Sequence, residues 1–353
     1  MYTSQKLQVK WYDKLSEKFD VTNGVRQGGV LFPLLFSIYV DDLLIELKNN
    51  ETGCHMGHYF VGALGYADDI ILLSPTVYGL EVMIIICENY AKEHSILFNG
   101  SKSKYLIFGK YLSRYKFNPI IKVNNEIVPR CDRAVHLGHV LDTVNTNRSL
   151  VEDAISKFNK SYHGFMSRFG SCNSTTKNKL LHQYCTAMYG SQLWDLTSRN
   201  VKTLCTKWRT AHRMVLSLPY NTHNNLLPLI AENRPLDCML ECRYIGFYKT
   251  ISESKNNIVK YVAHTRLYDY TSTMSRNMLH IMSKYDLSID DIRSLSKTNI
   301  NRHCYNKWLT VVDNDYLIYA GIIRDMLMMK EERCIRMLSN DDCNFVINFL
   351  CTI

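Results

Sequence analysis

The sequence contains no Cys-x-x-Cys pair, although twelve cysteines are spread along it. Cys238 and Cys242, one helical turn apart, come nearest to a metal half-site, and no matching second pair accompanies them. Two ligands do not close a tetrahedral zinc site, so scattered, reduced core thiols are expected. No apolar run approaches the roughly 18 residues that a membrane helix needs. The longest, Val30–Val40, stops at Asp41 and Asp42. The first residues, Met1-Tyr-Thr-Ser-Gln-Lys, lack the apolar core of a secretory signal. The expectation is a chain without membrane contact, intracellular, in the nucleus or the cytoplasm. Internal repeats and low-complexity tracts are also missing.

What remains is an ordinary globular composition, 46% hydrophobic and 21% charged over 353 residues, with room for two or three domains. The net charge of +9 is unevenly placed. Residues 157–213 hold ten Lys or Arg and a single acid, Asp195. Aromatics are interleaved there: Phe158, Tyr162, Phe165, Phe169, Tyr184, Tyr189, Trp194 and Trp208. Such a segment suits a polyanion such as nucleic acid; it equally suits solvated helix faces around an aromatic core.

Along the chain, 19–24 reads as a short β-like run that ends in the loop "GVRQGG" (24–29). A helix follows from about Leu31 to Lys48, with Pro33 in its first turn. Residues 61–74 read as a hairpin. Leu80, Met83, Ile84, Cys87, Tyr90 and Ala91 then recur at helical spacing. Leu97–Asn99 and Tyr105–Phe108 read as strand, turn and strand. Residues 120–129 read as a hairpin about Asn124-Asn125, and Val135–Leu141 as one further strand. After about residue 146 helical periodicity dominates, with a softer break at "LPYNTHNNLLP" (218–228).

Within "GALGYADDIILLS" (62–74), Asp68 and Asp69 stand side by side in an apolar run. Burying two carboxylates is costly unless they are paired or hold metal. A hairpin tip with two aspartates is a compact holder for hard divalent cations, because Mg²⁺ takes a few carboxylate oxygens together with phosphate and water. Two such ions about 3.5–4 Å apart serve phosphoryl transfer. A bare pair of acids in a turn, by contrast, is usually just hydrated.

The surroundings decide the matter. "GYADDIILLS" resembles the active-site hairpin of reverse transcriptases. "FDVTNGVRQGGVLFPLLFSIYVDDLL" (19–44) resembles the glycine-rich loop and helix of the palm in non-LTR (LINE-type) retrotransposon enzymes. "LFNGSKSKYLIF" (97–108) is similar to the Asn-x-x-Lys-Ser element that follows, and "HLGHVLD" (136–142) to the primer-grip segment. Residues 208–228 also resemble sequence beyond the palm in this group. That argues against a group II intron or retron-type enzyme, which shares the hairpin.

The resemblance implies an α+β fold. Residues 1–145 would form a partial right-hand palm, an antiparallel sheet with two helices on one face. Residues 146–220 would form a basic helical thumb, and 221–353 a helical C-terminal region. It implies RNA-directed DNA synthesis with Mg²⁺ or Mn²⁺ and deoxynucleoside triphosphates on an RNA template and a DNA primer. Asp68 and Asp69 would bind the metals, Asp68 closer to the chemistry, with Tyr66 and Ala67 shaping the hairpin. Gly24, Gln27, Gly28 and Gly29 would lie against the template–nucleotide pair, where the absence of Cβ lets backbone approach a base. Arg26 would meet phosphate or brace that loop, and Lys102 would serve the triphosphate. Leu137-Gly138-His139 would pack the primer backbone.

The pattern also fails in places. The family's third carboxylate, and the residue that tells deoxyribose from ribose, sit in an earlier Asp-x-x-x-Ala-Phe-Asp type motif, and no such stretch occurs. Phe32 stands where serine is usual. The expectation is therefore an N-terminally truncated polymerase, inactive or nearly so alone. The alternative is a non-catalytic nucleic-acid-binding remnant.

Overall fold

The computed structural model describes residues 5–21, 30–109, 118–144, 146–185 and 188–315. The chain divides into two compact units, residues 1–105 with 111–131, and residues 106–110 with 132–353. The first unit is mixed α and β. The second, among the described residues, is helical apart from one hairpin.

The first unit opens with two nested antiparallel ladders. β1 (Gln5–Leu7) pairs β4 (Phe19–Val21) outside β2 (Lys10–Trp11) and β3 (Lys14–Leu15). Helix α1 spans Phe32–Asn49 with Pro33 in its first turn, where a missing N–H costs nothing. Two hairpins follow, β5 (His55–Met56) with β6 (Tyr59–Phe60), and β7 (Ala63–Tyr66) with β8 (Asp69–Leu72). They are joined at Gly53 and Gly62, where a Cβ on either residue would lie within 2.8 Å of the other's Cα. That approach lets Cys54 N–H donate to Leu73 C=O at 2.8 Å and Leu73 N–H to Gly62 C=O at 2.6 Å. Helix α2 (Val77–Glu93) is capped by the Thr76 hydroxyl on Gly79 N–H.

The predicted apolar face of α2 is the observed one. Met83, Ile84, Cys87, Tyr90 and Ala91 are buried, with Ile86 beside them. Leu43 and Leu47 of α1 meet Met83, Ile86, Cys87 and Tyr90 in one cluster, and Ala63, Ile70 and Leu72 of the hairpin close it. The Tyr90 hydroxyl donates to Tyr39 C=O at 2.5 Å, and Tyr39 donates to His94 C=O, tying α1 to α2. Ile84 faces the next hairpin, β9 (Lys122–Val123) with β10 (Glu126–Ile127), through Ile121 and Val128. Its turn, Asn124-Asn125, has both residues at positive φ, as a two-residue turn matched to strand twist requires.

Three expectations need correction. Leu97–Asn99 and Tyr105–Phe108 are not strands. Asn99 Oδ1 accepts from Lys102 N–H at 3.0 Å and starts a side-chain-closed turn, and Tyr105 makes only an isolated bridge to Arg130. Residues 135–141 are not one strand but most of a hairpin, β11 (Arg133–His136) with β12 (His139–Asp142). The single antiparallel sheet backed by two helices is instead a set of two-stranded ladders among the described residues, of which β7–β8 packs on α1 and α2.

In the second unit, α3 (Thr146–Phe169), α4 (Ser174–Cys185) and a short 3₁₀ turn (Ser191–Leu193) precede α5 (Arg199–Val215) and α6 (Leu227–Ile230). Then come α7 (Leu236–Ser252), α8 (Asn257–Tyr268), α9 (Thr273–Tyr285), α10 (Ile289–Ser294) and α11 (Lys297–Asp315). One large core joins all the α-helices but α6, built around Phe158, Trp194, Trp208, Tyr244, Met278 and Ile300, while Leu229 of α6 packs on Val312 of α11 in a smaller cluster. The interleaved aromatics of 157–213 largely belong to this core, while Tyr184 and Tyr189 remain exposed. Buried Asn277 holds the Trp194 segment, accepting from Leu196 N–H at 2.9 Å and donating to Trp194 C=O at 2.8 Å.

A buried ionic cluster clamps α7 to α9. The Glu241 side chain is 3% exposed and accepts from Lys284 Nζ at 2.9 and 3.0 Å and from the Tyr285 hydroxyl, with His280 Nε2 at 2.9 Å. Burial alone would lower the Lys284 pKa, but Asp237 and Glu241 raise it above the usual ammonium value. Removing one partner leaves the other charge uncompensated. Glu241→Gln is therefore expected to cost about 3 kcal/mol of stability, read as a lower denaturation midpoint at constant m. A loss below about 0.5 kcal/mol would show the cluster to be solvated.

His182 and His212 pack on Trp208 with ring centroids at 5.1 and 4.8 Å. Burial lowers their pKa values to about 4 and about 3. Both lie below the unfolded value, so the unfolded chain binds more protons below about pH 6.5. Stability is full above that pH and falls with acidification by up to about 1.4 kcal/mol per unit for each histidine. Equilibrium unfolding between pH 6.5 and 5 should show this slope, and His182→Gln should halve it.

Candidate active site

The β7–β8 hairpin has two faces. Ala63, Gly65, Ile70 and Leu72 share one, and Leu64, Tyr66, Asp69 and Ile71 the other, because side chains alternate along a strand. The first face packs on the helices. On the second, Leu64 and Tyr66 are 51% and 64% exposed, and Asp69 is exposed beside them. Tyr66 pairs directly with Asp69, so Ala67 and Asp68 are the two turn residues. Ala67 takes φ +51°, a left-handed conformation that a residue with a Cβ adopts at a cost. The tip thus holds Asp68 and Asp69 adjacent, exposed, and without a hydrogen-bond or ion-pair partner among the described residues.

Two hard, partner-free carboxylates fit a divalent cation that completes its shell with water and phosphate oxygens. Among the described residues no group of three or more His, Cys, Asp or Glu side chains converges. Asp41 and Asp42 are exposed on α1. Lys102 is exposed in the Asn99 turn, in the same unit as the hairpin. That turn is held from outside, since Asn124 Nδ2 donates to Phe98 C=O at 2.7 Å and Asn124 N–H to Glu88 Oε1 at 2.6 Å. Gly24, Arg26, Gln27, Gly28 and Gly29 lie outside the described residues.

In the helical unit, Leu137-Gly138-His139 forms the tip of β11–β12. Leu137 and Gly138 are the turn, at φ +48° and +76°. Asp142 anchors the base of this hairpin on α3, accepting from Ser149 Oγ at 2.7 Å and pairing with Arg133 at 3.1 Å. The sequence reading missed what covers the tip. Tyr189 stacks on His139, centroids 4.7 Å apart and planes 14° apart, and its hydroxyl donates to Leu137 C=O at 3.1 Å. Gly190 follows at φ +75°, where a Cβ would lie 2.3 Å from the His139 ring. Burial, together with His136 and Lys157, holds the His139 pKa below the usual imidazole value, so the stacked ring is neutral at pH 7. The one sequence signal for this platform is the Tyr-Gly pair itself, too common to single out.

The first unit thus places a hairpin tip with paired aspartates over helix-packed strands, and an Asn-Gly-Ser-Lys turn, in one compact unit. Residues 1–141 match the family "Reverse transcriptase (RNA-dependent DNA polymerase)". Curated relatives are more particular: several are retrovirus-related Pol polyproteins of R2 retrotransposable elements. The chain is 25% identical over 225 residues to a retrovirus-related Pol polyprotein from type-1 retrotransposable element R2 of Popillia japonica, covering 59% of this chain and 30% of that protein. It is 42% identical over 73 residues to the one from Nasonia vitripennis, 21% of this chain and 7% of that protein. It is 39% identical over 69 residues to the Pol polyprotein of type-2 retrotransposable element R2DM of Drosophila melanogaster, 20% of this chain and 6% of that protein. The chain thus spans less than a third of these relatives. No helix among the described residues is long and apolar enough to cross a membrane.

If the Tyr189–Gly190 platform sets the hairpin tip, Gly190→Ala should push His139 off its stack. The expected result is a protein destabilised by about 1–3 kcal/mol, with the Tyr189 ring more mobile by NMR. An unchanged melting temperature and spectrum would contradict it.

Proposed function

We propose that this chain carries the catalytic hairpin of an RNA-directed DNA polymerase of a non-LTR retrotransposon. The carrying observation is the exposed Asp68–Asp69 pair at a hairpin tip whose other face is buried on two helices, inside the segment that matches the family. Asp68 and Asp69 are the residues to hold Mg²⁺ or Mn²⁺. The bound ion supplies charge neutralisation and activation of the primer 3′-hydroxyl. Tyr66 offers an exposed ring beside the tip. Lys102 offers a cation to the triphosphate of the incoming deoxynucleotide. Gly24, Gln27, Gly28 and Gly29 are assigned by motif to the template–nucleotide pair, and Leu137–His139 to the primer backbone.

The binding partners are an RNA template and a DNA primer. Lys160, Arg168, Arg199 and Lys202 are exposed in the helical unit and available to phosphates. Asp68 and Asp69 are the two carboxylates assigned to the site by motif, and no Asp-x-x-x-Ala-Phe-Asp stretch accompanies them in this sequence. Metal-site stabilisation amounts to several kcal/mol, so the chain by itself should extend a primer at least ~10³-fold more slowly than a complete site. Binding without synthesis, the second reading, is favoured only by those exposed cations.

The test is primer extension by the purified chain with Mg²⁺, beside a salt titration of hybrid binding. The expected result is trace extension that Asp68→Ala abolishes, and binding that weakens steeply with salt. Extension indifferent to Asp68→Ala, or no binding at low salt, would overturn the proposal.

A further inference from the structure

A cavity of about 600 Å³ opens in the helical unit, bounded by α4, the loop before α7, α7 itself and α11. Its size falls within the roughly 300–1,000 Å³ of small-ligand sites. Arg234 and Arg243 line it, and among the described residues Glu232 is the only acid on its wall, so the described lining carries a positive excess. His182 contributes no charge at neutral pH, because burial lowers its pKa to about 4. Arg234 lies over the Tyr305 ring, Cζ 5.5 Å from the centroid, and Asn301 stands one helical turn before Tyr305 on α11.

A guanidinium lying over a phenol ring gives a surface, part aromatic and part cationic, on which a nucleobase can pack, and guanidinium forks match phosphate oxygens. A carboxamide reads base edges as donor and acceptor. A simple polyanion needs the cations but not the ring, and an apolar ligand needs the ring but not the cations. A nucleotide uses both.

We infer that this cavity seats one nucleotide of a single-stranded RNA segment, its phosphate on Arg234 and Arg243 and its base against the Tyr305 ring and the Arg234 guanidinium over it. The inference rests on the nucleic-acid reading above and not on polymerisation, since none of these residues belongs to the hairpin tip. It separates two modes of binding on one chain: duplex hybrid on the exposed cations, and a single unpaired strand threaded to a pocket.

The experiment is fluorescence anisotropy of the full chain with a labelled unstructured single-stranded RNA, and with an RNA–DNA hybrid as reference. Arg234→Gln and Tyr305→Leu should each weaken single-strand binding by about tenfold, while Tyr305→Phe retains it. Arg234→Gln should lower the salt slope by about one, and hybrid affinity should stay within twofold for every variant. A 4-thiouridine-substituted RNA should photo-crosslink to the peptide containing Tyr305. Thermal melts identify variants that fail to fold, and for those the crosslink on the unaltered chain decides. Variants that bind the single strand as the parent does, or a crosslink that maps elsewhere, overturn the pocket and leave the polymerase reading standing. A parent chain that binds neither nucleic acid overturns both.

Discussion

Everything proposed for the mixed unit depends on one packing arrangement. The inner face of the β7–β8 hairpin, Ala63, Ile70 and Leu72, is buried against α1 and α2. Strand side chains alternate, so that burial fixes which residues point away. A slip of one residue would turn Asp69 and Tyr66 into the core and Ile70 into solvent. The apolar neighbours of the paired acids are therefore what keeps those acids out of the core. The same register leaves Ala67 to make the turn at a positive φ. The strain sits beside the carboxylates, where an over-determined scaffold can hold it.

The helical unit is held differently. Its core is aromatic and thiol-rich, and two polar devices cross it: Asn277 on the Trp194 segment, and the Glu241 cluster between α7 and α9. Both are satisfied by hydrogen bonds, which is the condition for polar groups to specify a core instead of weakening it. Segments far apart in sequence are thereby brought together. Asp195 pairs with Arg276 at 3.0 Å, and the loop at residues 232–234 meets α11 at the cavity.

Much of this was legible in the sequence. The helical period placed α2 and its buried face, the run after the glycine loop with Pro33 in its first turn placed α1, the Asn-Asn turn placed β9–β10, and the apolar runs on either side of Asp68 and Asp69 placed their hairpin. The failures have physical causes. In 97–108 the short apolar runs resembled strands, but the Asn99 side chain takes the Lys102 backbone N–H locally and competes with a ladder. In 133–142 the turn was hidden because Leu137, not a second glycine or asparagine, occupies a positive-φ position. Phe158, Tyr162 and Phe165 recur at helical spacing and are core residues, so their alternation with lysines had a packing origin. Tyr189 and the cavity could not be read, since both depend on contacts between distant segments. The roles assigned to the 24–29 loop remain assignments by motif.

The central claim is that Asp68 and Asp69 form the metal-binding tip of a nucleotidyl-transfer site. Paramagnetic broadening by Mn²⁺ tests it directly, because it reports binding whether or not the chain turns over. The account predicts broadening of backbone resonances from Tyr66 to Ile70 at Mn²⁺ levels that leave the helical unit sharp, and its loss in Asp68→Asn and Asp69→Asn. Broadening centred elsewhere, or unchanged in both variants, would contradict it.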